Sequence, residues 1–403
     1  MKQTLIILLL FSCICTHTCA QDMNDWLLEQ IMASSELRHV NYQDMYDKAF
    51  QEGSKVNPLV KALVVIDYCR AYGLDSLTTK MIDYVLGTEK SQLLDKSVAT
   101  YLFDTKFKLM LLQNRYDEIE RMASIIDLHW NGNPQLEDWA VRWHQLANKG
   151  RYIAPVSIRR ERDTVGIAFN KDIHGFMRVD ADINQSKKRH LIIDTGLLTS
   201  SMLYRDFAEQ AGVRLLPFST TGSSASHPED VFSMQLGIID SMRIEGITFY
   251  NLPVWVSDED RLYDCDGFIG TPDLSRLEYI ELSNDSIVFR YPLPTDHAEA
   301  NFTMNAGSKG ERCICLPCTI DGEKSSFILD TGSNTFLLPA QYLQQTKEIP
   351  VGIGEKEFMM TGSMCHAFVA KADSKGFWGR PLLNMFERLC FNFRDAHVEY
   401  VDK

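Results

Sequence analysis

The chain is short of cysteine, of basic charge and of long apolar runs, and each shortage excludes something. Ten cysteines in 403 residues are too sparse for a disulfide scaffold. Cys13, Cys15 and Cys19 fall at the N-terminus, and Cys69, Cys265, Cys313, Cys315, Cys318, Cys365 and Cys390 follow. Those seven are an odd set, with room for one or two bridges at most. Basic residues number 41 against 54 acidic ones, a formal net charge of −13, and no long basic run exists. Such a surface repels phosphate backbones, so nucleic acid is not an expected partner. Beyond the N-terminus no segment reaches about 18 apolar residues without charge, so no integral membrane segment is expected there.

The N-terminus carries one apolar stretch, Thr4 to Thr16, behind Lys2 and ahead of Thr18-Cys19-Ala20. It is too short to span a bilayer, and small residues stand where cleavage is decided. Residues 1–20 therefore read as a signal peptide cut after Ala20. Export follows as the expectation, to a periplasm or outside the cell. Lipid attachment at Cys13 or Cys19 stays open.

Residues 21–150 have helical periodicity. Trp26, Leu27, Ile31 and Met32 share one face, as do Leu59, Ala62, Leu63, Ile66 and Cys69 before Gly73. Leu94 to Leu112 gives a longer helix, then Tyr116 to Leu128 and Pro134 to Ala147. Stacked helical hairpins are expected, similar to tetratricopeptide-type repeats but with no clean 34-residue period. Either this region packs on the rest of the chain, or it docks a peptide or protein partner.

From about Ile153 the pattern is that of short strands: Val165 to Phe169, Phe176 to Ile183, His190 to Ile193, Thr248 to Val256, Tyr279 to Leu282, Ser286 to Tyr291, Phe327 to Leu329 and Leu389 to Phe393. This half repeats itself. Leu191-Ile-Ile-Asp194-Thr195-Gly196 returns 136 residues later as Phe327-Ile-Leu-Asp330-Thr331-Gly332-Ser333. Each copy is followed by a large apolar pair and a glycine: Phe268-Ile269-Gly270, then Phe377-Trp378-Gly379. A closing strand pair follows each. One Asp-Thr-Gly is a weak signal, whereas two copies with the same trailing element mark an internal duplication.

On those residues the chain resembles the two-lobed, retropepsin-like aspartic peptidases of bacteria, over roughly Val165 to Val401. The resemblance implies a multidomain chain: N-terminal all-α hairpins, then an all-β bilobal domain with lobes at 160–295 and 307–403. It implies that Asp194 and Asp330 form the catalytic pair and that Thr195 and Thr331 brace the two loops. It implies that Gly196 and Gly332 admit water and substrate, that Ser333 hydrogen-bonds its aspartate, and that Gly270 and Gly379 close the support loops. Two carboxyls about 3 Å apart cannot both ionise cheaply, so they share a proton. One activates water while the other donates to the scissile carbonyl, with no metal or organic cofactor. The expected function is aspartic endopeptidase on polypeptides. The alternative is a peptide- or protein-binding module on the same scaffold.

Three features depart from or exceed that pattern. Leu197 stands where Ser333 stands in the other copy, which predicts an unevenly shared proton. The first lobe is longer, 76 residues from Asp194 to Gly270 against 49 from Asp330 to Gly379. Its candidate flap is Thr220 to Asp230, with Val351 to Gly354 and Thr361 to Ser363 as weaker counterparts. Cys313-x-Cys315-x-x-Cys318 has metal-like spacing, but Cys313 and Cys315 lie in an expected strand, and buried free thiols are the favoured reading.

Overall fold

A computed structural model describes residues 18–35, 38–87, 94–130, 132–171, 174–186, 188–223, 230–258, 264–293, 297–305, 312–339, 348–361, 364–368 and 376–403. The expected leader lies outside the described residues, except that 18–20 begin the first helix.

Helices fill the N-terminal part: α1 Thr18–Ser35, α2 Tyr42–Phe50, α3 Pro58–Ala71, α4 Asp75–Gly87, α5 Lys96–Leu112, α6 Tyr116–His129 and α7 Pro134–Gly150. Local chemistry sets their starts. Asn57 and Asn133 cap α3 and α7, accepting from Leu59 N and Gln135 N, and a proline follows each cap. Proline tolerates that position because its missing N–H would be unpaired there anyway. Asp95 caps α5 through Ser97 N. Gly73, at φ +68°, ends α3, and a Cβ there would collide with the Met304 methyl of the β region. None of the helices among the described residues is long and apolar enough to cross a membrane.

In the first lobe six strands close into a ring. Around it run Ile247–Ser257, Met202–Tyr204, Gly267–Gly270, Arg189–Asp194, Met177–Ile183 and Val231–Ile244, which pairs back to the first. Met177–Ile183 alternates buried and half-buried along its length, as a strand with one inward face must. The second lobe is an open sheet in the order Lys356–Met360, Ile349–Ile353, Arg312–Ile320, Glu323–Asp330, Phe377–Gly379, Phe336–Pro339, Cys365–Phe368. A third sheet joins the lobes: Thr164–Ala168, Ser286–Arg290 and Tyr279–Leu282 from the first continue into Arg388–Asn392 and His397–Val401 from the second. The seam pairs Ile280 with Phe391 and Leu282 with Leu389, all fully buried.

Two apolar cores follow from this layout. One runs through the interior of both lobes and under the shared sheet. The other is built by the helices together with outward-facing residues of the first lobe, among them Ile192, Leu236, Trp255 and Phe268. Phe107 of α5 lies 4.5 Å from Trp143 of α7 and 5.1 Å from Phe218 of the first lobe. The helices thus pack on the rest of the chain. The stretch 292–306 reads from sequence as a linker, yet Phe302 and Met304 are buried and Thr303–Asn305 pairs with Arg312–Ile320. All seven cysteines after residue 20 are buried, and Cys313 Sγ lies 3.1 Å from Cys315 Sγ.

Candidate active site

Each aspartate is delivered by a strand that ends on it: Arg189–Asp194 in one lobe, Glu323–Asp330 in the other. Ile193 and Leu329, just before them, are buried, and this burial fixes the strand register. Behind each loop lies its support strand in parallel pairing. Gly270 is level with Asp194, and Gly379 with Asp330. The glycines are required by space. A Cβ on Gly270 would sit 2.9 Å from the carbonyl oxygens of Leu197 and Thr199, and one on Gly379 would overlap the Thr335 carbonyl. The support segments also hold the loops by hydrogen bonds: Thr271 Oγ1 donates to Thr195 O at 2.9 Å, and Arg380 N to Ser333 O at 2.9 Å.

The loops meet through their threonines. Thr195 N donates to Thr331 Oγ1 and Thr331 N to Thr195 Oγ1, each at 3.0 Å. Each hydroxyl then donates across the seam, Thr195 Oγ1 to Leu329 O at 2.8 Å and Thr331 Oγ1 to Ile193 O at 2.7 Å. Both threonines are fully buried. Only a residue with one hydroxyl can accept and donate here at once. This reciprocal lock brings Gly196 against the Asp330 carboxyl and Gly332 against the Asp194 carboxyl, where a Cβ on either would clash. The two carboxyls are hydrogen-bonded to each other.

Burial raises the pKa of both carboxyls. For Asp194 the rise is opposed by N–H groups of Gly196, Leu197 and Gly332 and by the hydrogen bond from Asp330. Asp330 is raised well above the ordinary range, because burial and the Asp194 charge outweigh the opposing N–H groups of Gly332 and Ser333. The two carboxyls therefore favour sharing a proton over ionising together.

The structure corrects one expected role. The Ser333 hydroxyl does not reach Asp330; it donates to Thr335 O at 2.7 Å and accepts from Thr335 N at 3.3 Å. It closes its own turn, because the chain bends there toward Phe336–Pro339. Leu197 acts on Asp194 through its backbone N–H, which favours the charged carboxylate. The Leu197 side chain lies on Gly270, and its neighbour Leu198 reaches the second-lobe cluster of Cys313, Cys315, Ile328, Leu337 and Phe377.

The candidate flap of the first lobe is a hairpin with arms Arg214–Ser223 and Val231–Ile244, while 224–229, its tip, lie outside the described residues. Val351 to Gly354 falls in the hairpin of Ile349–Ile353 and Lys356–Met360. Residues 362–363 lie outside the described residues. Sequence reasoning missed Arg312, Asp273 and Thr271, which stand behind the Asp194 loop. Thr271 alone carried a signal, since it follows Gly270 directly.

Comparison with known proteins agrees with this geometry. Residues 179–272, which include Asp194 and its support strand, match the family described as aspartyl protease. The chain also resembles a retropepsin-like aspartic protease from Rickettsia conorii, at 19% identity and a TM-score of 0.24, over 34% of this chain and 94% of that one. No curated protein matches. The aspartyl-protease match thus falls on the first of two lobes whose Asp-Thr-Gly loops are paired, in a β half set behind a helical region.

Proposed function

We propose that the chain hydrolyses peptide bonds as an aspartic endopeptidase, with Asp194 and Asp330 as the catalytic pair. The observation that carries this reading is the hydrogen-bonded carboxyl pair held between two mutually locked threonine loops. In this reading Asp194, bearing the charge, takes a proton from a water lying between the carboxyls. Asp330 gives its proton to the scissile carbonyl oxygen as the water attacks. The tetrahedral intermediate then collapses: its C–N bond breaks as the proton gained by Asp194 goes to the leaving amine, and one of its two hydroxyls returns a proton to Asp330. The pair titrates as one unit, so activity should follow a bell-shaped pH profile. A flap role for the hairpin of 214–223 and 231–244 belongs to the same proposal, as does export directed by residues 1–20.

The test is digestion of an unbiased peptide mixture across pH by the wild type, Asp194→Asn and Asp330→Asn. The expected result is cleavage by the wild type alone. Cleavage surviving either substitution would remove the assignment. A folded wild type that cuts nothing at any pH would favour a peptide-binding role.

A further inference from the structure

Behind the Asp194 loop the helical region grips the β half through two arginines. Arg312 opens the second-lobe strand Arg312–Ile320, which lies beside the strand ending in Asp330. Its backbone N–H donates to Leu198 O, in the Asp194 loop, at 3.0 Å. Its guanidinium donates to Ser275 Oγ at 3.0 Å and to Asp75 Oδ1 of α4 at 2.5 Å. Ser275 ends the short helix Thr271–Ser275 that follows Gly270, and Thr271 of that helix holds Thr195 O. Next along, Arg276 donates to Leu112 O at the end of α5 and to Asp273 Oδ1. Asp273 is fully buried and accepts from Ser201 N at 2.8 Å, just past the same loop. The Asp75–Arg312 pair is itself mostly shielded, with side chains 26% and 18% exposed.

We infer that Asp75 and Arg312 are positioning residues: through them the helical region sets the Asp194 loop against the second lobe, and so sets the spacing of the carboxyl pair. The inference rests on the peptidase reading. The Arg312 side chain joins α4 to the helix behind the loop, while its backbone lies in the second lobe. A planar, forked guanidinium can hold Ser275 and Asp75 together, whereas an ammonium cannot in the same geometry. Small misplacements of reacting groups cost rate steeply, by about 100-fold for 1 Å.

The test compares full-length wild type, Asp75→Asn, Asp75→Glu and Arg312→Lys. The expected result is a drop in kcat of about tenfold for Asp75→Asn and Arg312→Lys, with KM within about twofold. The pH profile should shift, and Asp75→Glu should restore most of kcat. A second reading needs no activity. The Tm difference between Asp330→Asn and wild type, followed against pH, reports how strongly the pair holds its proton. Adding Asp75→Asn to both should shrink that difference. Unchanged kcat, pH profile and Tm difference in Asp75→Asn and Arg312→Lys overturn the inference. Loss of Tm with no change in pH profile or in the kcat to KM split also overturns it, by reducing the pair to a structural tie. Cleavage that survives Asp194→Asn would instead sink the peptidase reading, and the Tm arm would still decide the role of Asp75.

Discussion

At the scale of single residues, the site works by what buried groups are denied. Burial and the Asp194 charge push the Asp330 carboxyl toward its protonated form. Its pKa is raised on folding, so above the unfolded carboxyl range the folded chain binds a proton that the unfolded chain has lost. Stability from this group therefore falls as pH rises. Asp330→Asn should match the wild type below about pH 4 and exceed it increasingly toward pH 7, by on the order of 1 kcal/mol, in thermal or urea unfolding run across pH. A variant less stable than wild type at pH 7 would contradict this. Thr195→Val removes the hydroxyl that accepts from Thr331 N and donates to Leu329 O. Both partners stay buried, so the loss should be about 2–4 kcal/mol, with Thr195→Ser recovering most of it. Ser333→Ala should leave the pH–rate profile in place, because its hydroxyl serves Thr335 and not Asp330. The sequence named Ser333 but could not show which way its hydroxyl turns; rotamers at a bend depend on the carbonyls that happen to face them.

At the scale of elements, the duplicated phrases carried most of what could be foreseen. The strands ending in Asp194 and Asp330 and the parallel support strands fall where their apolar residues place them. Helices α2 and α4 show no clear helical period in the sequence. The first has 9 residues, and the second turns Thr78 and Thr79 inward beside Ile82 and Val85, which blurs its apolar stripe. The strand Thr303–Asn305 was hidden by its shortness and by the prolines ahead of it. Gly270→Ala tests the support element, since its new methyl must push on the carbonyls of Leu197 and Thr199. Activity should fall at least about tenfold while the circular dichroism stays native. Gly166→Ala is the control: its Cβ would meet only a Val288 methyl at 3.8 Å, so activity and Tm should not change.

At the scale of the whole molecule, the helical region is part of the body of the fold. Its core continues into Ile192, Leu236, Trp255 and Phe268 on the outside of the first lobe. No periodicity in one chain reveals which face of a barrel a distant helix will cover, so this docking was not legible beforehand. Removing residues 1–150 would bare that apolar surface to water. The remaining half should aggregate or expose dye-binding surface, and the intact chain should unfold in one transition by calorimetry. A soluble, fully folded β half would show that the second core is dispensable. The sheet that stitches Tyr279–Leu282 to Arg388–Asn392 has a kinetic meaning as well. Both aspartates travel on one polypeptide, so no association step precedes assembly of the pair. Rate per molecule should stay constant through serial dilution, and the two loops are free to drift apart in sequence, since a change in one is never copied into the other.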